Sequence, residues 1–384
     1  SESDGTLEVA DQRIEGLTDR WIDPEVVGEH AEVGSVNGLA THPDSGSSYA
    51  AAFAKRFAPL GPLGVNGIYR LTPAGTVETF YSSLTPAMPE RPLVNGDPWT
   101  DPWGPWQIGW TGWGDIDVVD GRLYGINLGD RHLYVWSLDE DGSAAGAPQR
   151  IPIPLEGPDE LSDRPFGLGS WRGTVYVGGV DTGDRSGTPV PPTGWVQRFD
   201  PETMTFPDGP GGAVVTFPLD HLRGCVYRVE NTCGLLDLRV KWRRWGAAPR
   251  VTTEFDIGGR RRYDFEVNPQ PVVADLEFDD DGALIVGMRD RWGDLLARHV
   301  PVGTVPNPWL GPFGPSFTRY LDGYAFGDVM RFTRVTDGWE MEHNGTASGA
   351  TGSANSGAGP GRGEFSDADL GLVDGDLYEG LGRV

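Results

Sequence analysis

The sequence predicts an all-β protein of the β-propeller class, with seven blades favoured and six to eight allowed. Two observations lead to this class. A pattern of apolar strand, tight turn and apolar strand recurs along the 384 residues, and a supersecondary unit of about 40–50 residues that repeats is typical of propeller blades. No long stretch has the apolar periodicity of an amphipathic helix. We therefore predict one β-propeller domain over 1–384, with long loops rich in Gly and Pro.

The repeats share one sequence pattern, which is clearest in Val272–Leu296. Apolar residues alternate with acids up to Phe278, Asp279–Gly282 supplies a turn, and Ala283–Met288 is an apolar run of strand length. Aspartate and glycine favour such turns because both tolerate left-handed backbone geometry. The same sequence pattern predicts strands and turns in four other stretches, which are, in chain order, Asn37–Phe80, Trp113–Leu138, Arg164–Phe199 and Asp367–Tyr378.

The two ends of the sequence suggest how the last blade is completed. The final repeat supplies only its first strands before Val384, and an open sheet edge is seldom tolerated. We expect residues within 1–34, specifically Thr6–Ile22, to complete that blade. The alternatives are that this edge is filled by a neighbouring chain or by a following domain, since strand addition is a recurring way to build assemblies.

The composition favours an ordered acidic protein. Glycine (57) and proline (32) are abundant enough to suggest disorder, but 14 Trp, 15 Phe and 11 Tyr supply the apolar surface that disordered chains lack. The net charge is −25, which disfavours nucleic acid and anionic membranes as partners. No apolar run is long enough to predict a membrane span.

The two cysteines, Cys225 and Cys233, are eight residues apart in a loop-rich stretch. This spacing predicts a local disulfide, with two free thiols as the alternative. The same stretch, Asp220–Asn268, is the least propeller-like part of the chain and holds the basic runs Lys241–Trp245 and Arg260–Arg262. In so acidic a chain we interpret these arginines as internal partners for carboxylates or aromatic rings.

The connection Leu84–Gly112 is long and rich in tryptophan. Loops of this length are uncommon unless they are functional or pack on themselves. If exposed, the indoles would favour contact with a glycan or a protein; the favoured alternative is that they fill gaps between blades. The residues in question are Trp99, Trp103, Trp106 and Trp110.

Carboxylates recur at one position of the repeat. Alignment of the repeats places Asp115, Asp275 and Asp369 in register, with Asp117 and Glu277 two residues further on the same strand face. Several such oxygens around a central channel would suit Ca²⁺. The favoured alternative is that the aspartates accept hydrogen bonds from nearby backbone amides, because a repeated residue indicates a structural role.

With these motifs assembled, the chain resembles the N-terminal propeller region of large bacterial surface proteins that continue into B-type repeats of the serine-aspartate-repeat adhesin kind. The resemblance implies a secreted, surface-associated and non-catalytic protein. The chain contains no B-type repeat. The matching segments are Lys55–Arg70, Arg164–Leu168, Val175–Val180, Asp275–Asp294, Ala325–Arg331, His343–Gly345 and Gly359–Phe365.

The sequence is compatible with three functions. The first is a bacterial extracellular structural or adhesion protein, not an enzyme, that binds other surface proteins or copies of itself in filaments or arrays. The second is a Ca²⁺-dependent lactonase or esterase, with Asp115, Asp275, Glu277 and Asp369 as metal ligands. The third is a lectin that binds glycans through its tryptophan-rich connection. The sequence lacks the nucleophile elbow, phosphate loop and dinucleotide fingerprint of common enzymes.

Overall fold

The described part of the chain is nearly all-β, and four of its sheets have the four-stranded antiparallel topology of propeller blades. A computed structural model describes residues 7–9, 25–56, 58–83, 108–156, 162–184, 189–222, 241–256, 259–295, 300–305, 316–325, 327–336, 338–343, 346–347 and 350–351. In these ranges the α-helices are single turns of four residues, His30–Val33 (α1) and Trp292–Leu295 (α2). None of the described helices has the length and apolarity needed to cross a membrane.

The chain contacts divide into two compact units. Unit 1 comprises Ser1–Leu93 and Trp106–Pro152, and unit 2 comprises Val94–Pro105 and Ile153–Val384. The prediction of a single domain over 1–384 and the number of blades stay predictions.

Unit 1 contains two four-stranded antiparallel sheets in which sequential strands are neighbours. A short antiparallel pair, β1 with β2, precedes them, and a 3₁₀ turn at Gly64–Asn66 precedes β5. The strands are β1 (Leu7–Val9), β2 (Glu25–Gly28), β3 (Val36–Thr41), β4 (Ser48–Ala52), β5 (Gly67–Leu71), β6 (Val77–Ser82), β7 (Trp113–Val119), β8 (Arg122–Asn127), β9 (His132–Ser137) and β10 (Gln149–Pro152).

Unit 2 contains two further sheets of blade topology, ordered β11-β12-β13-β14 and β17-β18-β21-β22. A third sheet, β15-β16-β20-β19, is mixed, because β16 and β20 pair in parallel. The strands are β11 (Asp163–Trp171), β12 (Thr174–Asp181), β13 (Thr193–Phe199), β14 (Val215–Pro218), β15 (Arg250–Asp256), β16 (Arg261–Val267), β17 (Pro271–Phe278), β18 (Leu284–Asp290), β19 (Val300–Val305), β20 (Phe317–Tyr324), β21 (Asp328–Val335), β22 (Gly338–Met341), β23 (Thr346–Ala347) and β24 (Ala350–Thr351).

In two blades a two-residue turn connects the first strand to the second. The backbone angles of these turns explain why glycine is the second turn residue. Asp120 and Gly121 join β7 to β8 with φ of 48° and 68°, and Arg172 and Gly173 join β11 to β12 with φ of 51° and 77°. Positive φ at both central residues matches the twist of the flanking strands. Glycine adopts it freely, whereas arginine rarely does.

Aromatic side chains fill the space between the two sheets of unit 1. The rings of Trp113 and Tyr134 meet edge to face with centroids 5.2 Å apart, and Tyr81 lies 5.1 Å from Trp136. Tyr49 is fully buried, and its hydroxyl donates a hydrogen bond of 2.5 Å to the carbonyl oxygen of Gly142. Edge-to-face pairs add attraction beyond the burial of apolar area. The cluster therefore stabilises the packing of the two sheets of unit 1 against each other.

The predicted repeats are confirmed where the structure describes them. The four internal stretches form β3–β6, β7–β9, β11–β13 and β17–β18, and the predicted turn Asp279–Gly282 joins β17 to β18. Asp367–Tyr378 and most of Thr6–Ile22 lie outside the described residues, so completion of the last blade stays a prediction. In the N-terminal segment, Leu7–Val9 pairs with Glu25–Gly28.

Candidate functional site

A β-bulge occurs at the same place in the first strand of each blade. The pairing of β3, β7, β11 and β17 with the following strand slips by one residue, so that each first strand carries one extra residue. Glycine and aspartate alternate at the bulge, either where pairing resumes or one residue before it, and the next residue is leucine in three of the four strands and isoleucine in the other. The four positions are Gly38, Asp115, Gly167 and Asp275.

The glycine of one bulge packs on the backbone of the aspartate bulge in the next blade of the same unit. A Cβ atom on Gly38 would lie 2.7 Å from the nitrogen of Ile116 and 2.8 Å from the oxygen of Gly114. A Cβ atom on Gly167 would lie 2.8 Å from the oxygen of Val273 and 3.0 Å from the nitrogen of Asp275. No larger residue fits without separating the strands, which explains the glycines.

The aspartates at these bulges accept hydrogen bonds from the local backbone. An oxygen of Asp115 accepts a hydrogen bond of 2.9 Å from the amide of Ile116. An oxygen of Asp275 accepts one of 2.8 Å from the amide of Leu276. The two aspartates therefore have the same local geometry, as the aligned repeats predict. Their hydrogen bonds are those expected of residues that hold an irregular stretch of strand.

The metal site predicted at Asp115, Asp275, Glu277 and Asp369 stays a prediction. Asp275 and Glu277 are exposed and Asp115 is half-buried, while Asp369 lies outside the described residues. In the part of the chain that the structure describes, no group of three or more His, Cys, Asp or Glu side chains is arranged to hold a metal ion.

The other predicted site residues are only partly described. Trp110 is half-buried at the turn that precedes β7. Trp99, Trp103 and Trp106 lie outside the described residues, as do Cys225 and Cys233. The glycan contact and the disulfide therefore stay predictions.

A buried ionic network in unit 2 centres on Arg291, which follows β18 and is 3% exposed. Its guanidinium donates a hydrogen bond to the side-chain oxygen of Gln270 and lies 4.4 Å from the centroid of the Trp245 ring. Burial lowers the pKa of Arg291 to about 9, against the opposing effect of Asp294 and Asp184. Because this pKa lies above 7, the guanidinium is still charged at neutral pH.

This network fastens the basic segment 241–247 to the neighbouring strands. The amide nitrogen of Gln270 donates a bond of 2.7 Å to the carbonyl of Trp245, and Arg244 donates one of 2.9 Å to Asp184. In the mixed sheet, Arg262 pairs with the buried Asp264 at 2.8 Å. The interpretation of these arginines as internal partners of carboxylates is confirmed for Arg244 and Arg262.

A buried histidine–aspartate pair lies near the start of β21. The Nε2 atom of His221 is 3.0 Å from an oxygen of Asp328, and the indole nitrogen of Trp242 is 3.4 Å from the same oxygen. Such a pair is a component of general-base sites, but His221 and Asp328 are only 8% and 2% exposed. No local sequence pattern indicates this pair, since the two residues are 107 positions apart in the chain.

These features define the class of the protein as an all-β chain built from propeller blades. No protein-family model matches the chain. Among curated proteins it is similar to three colossins of Dictyostelium discoideum. It is 27% identical to Colossin-D over 276 residues, 23% identical to Colossin-C over 311 residues and 26% identical to Colossin-A over 355 residues.

The matches cover most of this chain and a small part of each relative. The aligned regions take up 70%, 78% and 87% of this chain, against 26% of Colossin-D, 27% of Colossin-C and 3% of Colossin-A. The chain therefore spans about a quarter of two of these relatives and far less of the third.

Solved structures show weaker similarity. A gluconolactonase from Xanthomonas campestris matches with a TM-score of 0.29 and 14% identity, covering 81% of this chain and 75% of that chain. A nidogen/laminin complex matches with a TM-score of 0.33 and 11% identity, covering 74% of this chain and 85% of that chain. Because these scores are low, we draw no function from them.

Proposed function

We propose that the chain is a non-catalytic structural module of a larger extracellular surface protein, and that it binds other surface proteins or further copies of itself. The observation that carries the proposal is its similarity, over most of its length, to small parts of much longer proteins. The resemblance to bacterial surface propellers supports the same role. The bacterial origin and the extracellular location are part of this proposal.

The hydrogen bonds of the repeated aspartates also support a structural role. Asp115 and Asp275 each hold the bulge of a first strand, and a glycine of the neighbouring blade packs on that bulge. The most regular polar feature of the repeat thus contributes to the packing between blades.

Self-association is the specific form of the proposal that can be tested first. A contact between two different surfaces of identical chains gives a filament when its rotation does not close into a ring. We expect the mean mass of chain 1–384 to rise with concentration in sedimentation and light scattering, and negative-stain images to show linear oligomers. A strictly monomeric chain at millimolar concentration would contradict self-association.

The Ca²⁺-dependent hydrolase needs a separate test, for which Asp275→Ala and Asp275→Asn are suitable. If Asp275 serves the bulge, Asn keeps an oxygen acceptor for Leu276 and costs little, whereas Ala costs about 1 kcal/mol of stability. Calcium would then leave the melting temperatures of all three proteins unchanged. If the unmodified chain hydrolyses a lactone only in the presence of calcium and both variants lose this activity, the result would instead support the hydrolase. Binding of the chain on a glycan array would support the lectin.

A further inference from the structure

Two exposed arginines share one tryptophan ring at the end of β11. The guanidinium carbon of Arg172 lies 4.4 Å from the centroid of the Trp171 ring, and that of Arg334 lies 4.2 Å from it. Arg172 belongs to the turn between β11 and β12, and Arg334 lies near the end of β21. We name these three residues the arginine clamp. Distances below about 6 Å allow cation–π attraction.

The ring at the centre of the clamp is held firmly. Gly282 lies against it so closely that a Cβ atom there would be 2.6 Å from the ring. The ring of Phe278 lies 6.0 Å from that of Trp171 at an angle of 18°. Trp339 packs against Phe278 and donates a hydrogen bond of 3.0 Å from its indole nitrogen to the carbonyl of Gly282. These contacts pre-organise the clamp.

The charges around the clamp leave its two arginines available. The adjacent turn carries Asp279 and Asp281, but Arg331 pairs with both, at 2.8 Å and 3.3 Å. Among the described residues, neither Arg172 nor Arg334 forms an ion pair. A guanidinium that stacks on a ring keeps the N–H groups at its edge free, and this edge matches the two oxygens of a carboxylate.

We propose that the arginine clamp binds carboxylates of a second copy of this chain. Local charge complementarity supports that occupant: the clamp presents two guanidinium groups, and a second copy, with 56 acidic residues, carries acids on exposed turns, although the net charge of −25 on each copy opposes the contact at low ionic strength. One such turn is Asp139–Asp141, in which all three acidic side chains are exposed. The clamp and an acidic turn are different surfaces, so the contact is head-to-tail. The inference rests on the self-association proposed above.

The test uses a double variant that the fold tolerates. Arg172→Asn removes one guanidinium at a position with φ of 51°, where asparagine before glycine is a preferred turn sequence. Arg334→Gln removes the other. The matched control is Arg198→Gln, because Arg198 is also exposed but pairs with Asp208 at 3.1 Å. The melting temperature of each protein shows that it is folded.

We expect the double variant to weaken self-association at least tenfold in sedimentation and the control to stay within twofold of the unmodified chain. Glu140→Lys, which reverses a charge on the acidic turn, should also weaken it. Unchanged association of the double variant would overturn the clamp while leaving the proposed self-association in place.

If the unmodified chain stays monomeric, self-association fails and the clamp is tested directly. A peptide with the sequence of 138–144 is titrated into the chain by calorimetry. Binding that the double variant loses supports carboxylate recognition by the clamp. Absence of binding overturns it, and binding of a uronic-acid oligosaccharide in place of the peptide overturns the second copy as the occupant.

Discussion

The packing of one bulge on the next can be tested by adding a single methyl group. In Gly38→Ala the new Cβ atom would lie 2.7 Å from the nitrogen of Ile116 and 2.8 Å from the oxygen of Gly114. Both are backbone atoms of β7, so they cannot move aside as the end of a side chain can. The strands β3 and β7 must therefore separate by several tenths of an ångström.

The cost of this separation follows from the energetics of overpacked cores. Adding a group to a well-packed interior costs about 1–3 kcal/mol, and we expect Gly38→Ala to fall in this range. Net stabilities of about 5–15 kcal/mol are typical of folded proteins, so the loss is large enough to measure. In unit 2, Gly167 meets the backbone of Val273 and Asp275 in the same way, and Gly167→Ala should cost a similar amount.

The assay is urea unfolding followed by the fluorescence of the 14 tryptophans, among which the buried Trp113 and Trp136 lie in unit 1. Gly146→Ala is the matched control, since a Cβ atom at Gly146 would meet no atom within 4 Å. It should change the free energy of unfolding by less than about 0.5 kcal/mol. If Gly38→Ala unfolds at the same urea concentration as the control, the packing of glycine on the bulge is not a constraint and the reasoning is refuted.

Two further predictions concern buried charges in unit 2. Arg291→Met leaves the neighbouring carboxylates without their buried partner and should cost about 3–5 kcal/mol in the same unfolding assay; a change below 1 kcal/mol would contradict it. The pKa of Asp264 is lowered from its ordinary 3.8 because hydrogen bonds outweigh the opposing effect of burial. The donors are Thr253, Arg262 and Arg319. A lowered pKa stabilises the fold above the ordinary value, and this contribution is lost as the pH falls through the lowered pKa. Asp264→Asn should therefore flatten the dependence of the melting temperature on pH below about 4, and an unchanged profile would show that other carboxylates dominate.

The candidate sites show which site residues a local sequence pattern can predict. Alignment of the repeats placed Asp115 and Asp275 in equivalent positions, and the structure gives them equivalent hydrogen bonds. The arginine clamp had no such signal, because Trp171 and Arg334 come from separate strands and meet only when two blades pack. For the same reason, no local sequence pattern indicates the buried pair of His221 and Asp328.

The sequence by itself determined the strands and turns of the blades. Alternating apolar residues and Asp-Gly turns fix strand positions locally, since both act through neighbouring residues. Only the tertiary structure decided the mixed sheet. Its strands β16 and β20 pair in parallel although about fifty residues separate them, and no short-range pattern specifies which distant strand will supply hydrogen-bond partners. The alternation of glycine and aspartate at the bulges is likewise explained only by the tertiary structure, because the glycine of one blade packs against the backbone of the aspartate bulge in the neighbouring blade.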